Sequence, residues 1–160
     1  MVAATGLTTA YSDTVNMSPF FFYQFYTFDD RYSSNSAGTN PKFNDSMNYE
    51  VLVDAKAVNY FERETLDVIL FDDNAPIAGV GLDGQQTANN DDMIGMAKVP
   101  LSNLATGCSQ HSKYPIKHVE TQKEVGQLEV LIDIVELEMA QNDGLFFKAS
   151  QDLVYSKKFE

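Results

Sequence analysis

The chain is poor in the residues that carry most covalent and metal chemistry: its 160 residues include one cysteine, two histidines and no tryptophan. A single Cys108 excludes an intramolecular disulfide, and His111 and His118 are too few for a zinc site of the usual kind. Basic residues are also scarce, 11 against 23 acidic, giving a net charge of −12. That balance repels phosphate backbones and anionic lipid, so nucleic acid is set aside as a partner and membrane docking would need a bridging cation. No stretch reaches the roughly 18 apolar residues of a membrane span. Met1 to Thr9 also lacks the basic start and long apolar block of a secretory signal, so the expected setting is intracellular. There is no heptad run, internal repeat or low-complexity tract.

What the chain does have is apolar volume arranged for strands. Hydrophobic residues make up 44% of it and aromatics 12%, enough for one closed core. The run from Pro19 through Phe20, Phe21, Phe22, Tyr23, Gln24, Phe25, Tyr26 and Thr27 to Phe28 is aromatic on both faces of a strand. Such a strand needs cover on both sides. In Phe43 to Leu52 an apolar row of Phe43, Met47, Tyr49 and Val51, interrupted by Asp45, alternates with a mostly polar one. Thr65 to Phe71 reads as a more fully buried strand, and Met93 to Val99 as a shorter one stopped by Pro100. In Gln127 to Leu137, Leu128, Val130, Ile132 and Ile134 point one way and Glu129, Leu131, Asp133 and Val135 the other. Polar connections at 33–40, 72–92 and 104–113 separate these runs, and Ala55 to Glu64 suits a short helix or a wide loop. Short strands between turn signals predict an all-β fold, an antiparallel Greek-key β-sandwich.

The order of these signatures resembles that of C2 domains. Ser18-Pro19-Phe20 and the aromatic strand come first, then Asn40-Pro41-Lys42-Phe43-Asn44. Thr65 to Asp72, Asp92-Met93-Ile94-Gly95 and Val99-Pro100-Leu101 follow, so the resemblance spans Ser18 to Glu138. It implies a C2-type sandwich of about eight strands. Residues 1–17 would be an N-terminal segment, 18–138 the domain and 139–160 a C-terminal extension. The strand from Phe22 to Asp29 resembles those of the retinitis pigmentosa GTPase regulator-interacting proteins, ciliary transition-zone scaffolds whose C2 domains act mainly in protein interaction. That implies a non-enzymatic interaction module with ciliary or axonemal protein partners, in a cilium or related cytoskeletal assembly. The alternatives are a membrane module recruited by Ca²⁺ and a structural axonemal protein.

Calcium-binding C2 domains collect aspartate oxygens on two loops at one end of the sandwich, because Ca²⁺ takes six to eight oxygen ligands. On the resemblance, Asp72, Asn74 and Asp92 fall at the expected third-loop positions, with Asp73 and Asp91 beside them. Asp13 lies near a first-loop position, and Ser18 stands where an aspartate is usual. Asn74 and Ser18 bring no charge, so the expectation is a degraded site, with calcium weakly held or absent and no other cofactor.

No enzyme class is supported. Cys108 and His111 lie too close along one loop to converge as a nucleophile pair. Gly79 to Gly84 fits G-x-G-x-x-G, but a Gln/Thr/Asn/Asp stretch follows where a dinucleotide site needs a helix. Asn44-Asp45-Ser46 is a formal glycosylation sequon inside an expected strand.

Two expectations concern surfaces. In both readings of the aromatic strand, Phe20, Phe22, Tyr26 and Phe28 line the core. Phe21, Tyr23 and Phe25 are either shielded by the chain's own loops or form a partner interface. The second concerns Val2 to Tyr11, a poor strand that either pairs weakly or leaves an empty slot beside the aromatic strand, open to β-augmentation, and that is expected to be the least well packed part of the sandwich.

Overall fold

The computed structural model describes residues 3–8, 16–75, 92–140 and 144–150. In chain order its strands are β1 Ala3–Thr5, β2 Pro19–Tyr23, β3 Arg31–Tyr32, β4 Asn48–Val53, β5 Thr65–Asp72, β6 Met93–Pro100, β7 Gln110–Lys117, β8 Glu124–Ala140 and β9 Gly144–Ser150. Helix α1, Ala55–Arg63, follows β4, and a single turn of helix, α2, Ser102–Ala105, follows β6.

The strands hydrogen-bond in the order β3-β2-β5-β6-β7-β8-β9-β4, with β1 attached to β8. All pairings are antiparallel. The long β8 belongs to both layers. Glu124 to Ile132 pair with β7, and Asp133 to Ala140 pair with β9 across a register shift between Ile134 and Glu136. A shift of this kind turns a strand, and here it carries the chain from one sheet into the other. The short β4–β9 layer thus lies over the aromatic strand, where the Tyr49 and Tyr23 hydroxyls meet at 3.0 Å. The architecture is the all-β antiparallel sandwich that the sequence predicts.

Alternation explains most of the core. Leu66, Val68 and Leu70 of β5 are buried, as are Ala97 and Val99 of β6 and Leu128, Val130 and Ile132 of β8. The first expected strand is shorter than its aromatic run. β2 ends at Tyr23, and Tyr26 turns the chain with a φ of 52°, its N–H donating to the Tyr60 hydroxyl. Phe43 to Met47 stays outside the ladder because Asn44 adopts a φ of 46°, yet Phe43, Asp45, Tyr49 and Val51 are all buried. The Asn44 sequon therefore sits in a bend before β4.

Ala55 to Arg63 forms a helix. Asp54 caps it by accepting from the Ala57 N–H at 2.8 Å, and it buries Ala57 and Phe61, four residues apart on one face.

The N-terminal expectation is corrected. Three residues, Ala3 to Thr5, pair with Gln127 to Glu129 of β8 rather than lying beside the aromatic strand. Ala4 and Leu7 are buried. The segment packs so closely that a Cβ on Gly126 would meet Leu7 Cδ2 at 2.9 Å, so small residues are what this slot accepts. Nor is the edge of β2 empty. Phe22 and Tyr23 pair with β3, Ser33 N–H donates to the Phe21 carbonyl at 3.0 Å, and Ser36 N–H donates to that of Pro19 at 2.9 Å. β-Augmentation at that edge is therefore closed. β9, within the expected C-terminal extension, is hydrogen-bonded on both sides, to β4 and β8.

Candidate functional site

Two places bear on function, one polar and one apolar. The polar one is the end of the sandwich where β2 begins and β5 ends. Asp72 is buried, and its Oδ1 accepts from the backbone N–H of Ser18 at 2.8 Å and of Asn74 at 3.1 Å. Its own N–H donates to the Asp92 carbonyl at 2.7 Å. The Asn74 amide donates to the Asn16 carbonyl at 2.6 Å, while Asn35 donates to Asp73 Oδ2 at 2.7 Å and to the Ser18 hydroxyl at 3.2 Å.

The fold thus brings Ser18, Asp72 and Asn74 together and ties Asp92 to them through its backbone. Asp13 and Asp91 lie outside the described residues, as does the Gly79 to Gly84 run. Among the described residues no group of three or more His, Cys, Asp or Glu side chains could hold a metal ion. Of the candidate ligands, Asp72 serves as an acceptor for two backbone N–H groups of its own loops.

The apolar place is the outer face of the β3-β2-β5-β6 sheet. Here the sequence reading is inverted: Phe21, Tyr23 and Phe25, offered as a partner interface, are all buried in the core. Phe21 packs edge-on against Phe43, ring centroids 5.0 Å apart, and Phe25 against Tyr49 at 5.0 Å. Burial pushes the Tyr23 hydroxyl far above the usual tyrosine range, and its hydrogen bond with Tyr49 adds to the effect. The outward row is Phe20 and Phe22. Gln24 is the signal that could have found it, being the one polar residue on that row and exposed.

Strand register assembles the face. Phe20 lies opposite Phe71 with their rings stacked at 5.4 Å, and Phe22 lies between Tyr32 on one side and Ile69 on the other. Ile69 continues to Met96 and Phe71 to Met93. Most of these side chains are half-buried, and Tyr32 is 57% exposed. Tyr32 is held by its neighbour, since Arg31 pairs with the mostly buried Asp45 at 2.6 Å. The hydrogen bond to Asp45 raises the Arg31 guanidinium further above its ordinary value, against the opposing effect of burial.

The remaining candidates have local partners. His111 Nε2 and Glu129 Oε1 share a hydrogen bond at 2.7 Å, and Cys108 is exposed with its thiol 3.8 Å from the Thr106 carbonyl.

No family model matches the chain. It is 32% identical over 117 residues to mouse X-linked retinitis pigmentosa GTPase regulator-interacting protein 1, and 30% identical over 117 residues to the human protein. Each alignment covers 72% of the chain but only 8% of the relative's length. A solved structure of CC2D1B, which coordinates ESCRT-III activity during the mitotic reformation of the nuclear envelope, superposes with a TM-score of 0.61 at 13% identity. That superposition covers 95% of the chain and 52% of the other. This is a C2-domain protein. The Ser18–Asp72–Asn74 knot stands at one end of the sandwich, and the aromatic face lies on the side of the sheet turned away from the core.

Proposed function

We propose that this C2 domain is a non-enzymatic protein-interaction module that works without calcium, in a ciliary or related cytoskeletal assembly. One observation carries the reading. The sheet turns a continuous row of Tyr32, Phe22, Phe20, Ile69, Phe71, Met93 and Met96 outward while its other face is filled by the core. A contiguous outward apolar face is a feature of protein–protein interfaces, and aromatic and methionine side chains are enriched in them. The polar end supports independence from calcium, because Asp72 already satisfies two backbone N–H groups. The cilium assignment comes from the likeness to the regulator-interacting proteins, whose name supplies the partner to try first.

The test is capture of purified retinitis pigmentosa GTPase regulator by the chain, with and without millimolar Ca²⁺. Wild type should bind equally in both conditions, and the double variant Phe22→Ser, Tyr32→Ser should lose about tenfold or more in affinity while keeping its circular dichroism spectrum. Binding that appears only with Ca²⁺, or that ignores the double variant, would overturn the reading.

A further inference from the structure

The sheet is not evenly zipped. β5 and β6 share a ladder from Thr65↔Pro100 to Phe71↔Met93, and β7 and β8 one from Gln110↔Ile132 to Lys117↔Glu124. Between β6 and β7 only one pair, Met96↔Lys117, is in register. Two residues explain the gap. A proline brings no N–H to a ladder and sits where a strand is left unpaired on one side. Lys117 turns its carbonyl toward Gly95 of β6, and Pro115, two residues before it, shares that side, so the N–H that the proline lacks is one that would face β6. Gly95 then pins the point of contact: a Cβ there would come within 2.7 Å of the Lys117 carbonyl oxygen, so the backbones touch there. At the far end the Gln110 side chain, donating to the Pro100 carbonyl at 3.0 Å, spans the separation.

Around the Met96–Lys117 contact opens a groove of about 190 Å³, lined by Met96, Lys98, Pro115, Lys117, Val119 and Gln122. Drug-sized pockets start near about 300 Å³, so this one suits a single side chain. It continues the aromatic face, since Met96 is the last residue of the row Tyr32-Phe22-Ile69-Met96. The walls are apolar, with Val119 44% exposed. The charge at its rim runs against that of the molecule: Lys98 and Lys117 are both exposed on a chain of net charge −12. Lys98 reaches Asp67 at 3.2 Å, and Lys117 is itself the β7 residue at the contact point.

We infer that this groove takes one large apolar side chain of a partner protein, followed in the partner's sequence by carboxylates that pair with Lys117 and Lys98. The inference rests on the outer face being an interaction surface and adds the chemistry of the segment bound there. From β3 to β7 is four strand spacings, about 19 Å, which an extended peptide covers in about six residues. The recognised element is then a short motif, aromatic or aliphatic where it crosses Phe22 and Ile69 and acidic where it ends over β7.

The test is titration of isotopically labelled protein by NMR with two probes, N-acetyl-Leu-Glu-Glu amide and N-acetyl-Leu-Lys-Lys amide. The acidic probe should give saturable shifts confined to Met96, Lys98, Lys117, Val119 and Gln122, and the basic one should bind several-fold more weakly. Lys117→Ala should weaken the acidic probe about fivefold, and Val119→Asp should abolish its binding. Phe22→Ser should leave it unchanged, so loss of regulator capture in the Phe22/Tyr32 variant without probe binding would sink the groove inference alone. Absence of saturable shifts, equal binding of the two probes, or Lys117-dependent sedimentation with phosphatidylserine vesicles in place of peptide binding would each overturn it.

Discussion

The loop end of the sandwich and the outer face of its sheet are opposites in what they leave unfinished. At the loop end several of the candidate ligand side chains have a task within the protein: Asp72 caps Ser18 and Asn74, Asn74 ties down Asn16, and Asn35 holds Asp73. On the outer face Phe20 stacks on Phe71 and Phe22 packs against Tyr32, and Phe20, Phe22 and Tyr32 still present surface to water. Carboxylates alone therefore do not mark a binding site. Surface whose contacts stop halfway is the better guide, and here it is apolar.

The strongest way to break this comparison is to mutate alternate residues of one strand. Phe21→Ala, on the buried row, should destabilise the domain by about 3–5 kcal/mol in chemical denaturation. Phe22→Ala, one residue on, should cost about 1 kcal/mol or less, because its ring is only half-buried. Equal losses would mean that the outward row is structural.

Next comes the loop end itself. Asp72→Ala should cost about 2–3 kcal/mol, since it strands two N–H groups that now share a charged acceptor. Wild-type melting should be unmoved by a calcium chelator. A chelator-induced drop in Tm would show that an ion, and not the N–H groups, is what Asp72 serves.

How far these two regions could be read from the sequence differs in an instructive way. Alternation placed Leu128, Val130 and Ile132 correctly, because Gln127, Glu129 and Asp133 mark the other row as the polar one. β2 offers no such contrast: with Phe20 to Tyr23 aromatic throughout, its parity hangs on Gln24, just beyond the strand's end, and the reading took the wrong row. The partner of β1 was equally hidden. Three small residues fit beside many strands, and what selects β8 is the space over Gly126, a contact between residues more than a hundred positions apart. The Ser18–Asp72–Asn74 grouping was legible as a cluster, whereas its use as a hydrogen-bond knot depends on backbone donors that a sequence does not display.

A smaller effect sharpens the contrast between interior and surface. Burial raises the hydroxyl pKa of Tyr23, Tyr49 and Tyr60 in the folded state. Once the pH passes the unfolded value near about 10, the unfolded chain loses these protons while the folded one keeps them, so stability is full below that pH and falls above it. Tyr23 alone should contribute a slope of about 1.4 kcal/mol per pH unit, and Tyr23→Phe should flatten the alkaline limb of a stability–pH profile.

β8 has a mechanical consequence. Its 17 residues are held by β1 and β7 along one stretch and by β9 along the next, so both layers hang on a single continuous cable. Tension applied along that strand loads several rows of hydrogen bonds in parallel rather than opening them one at a time. A domain built this way yields to such tension all at once or not at all.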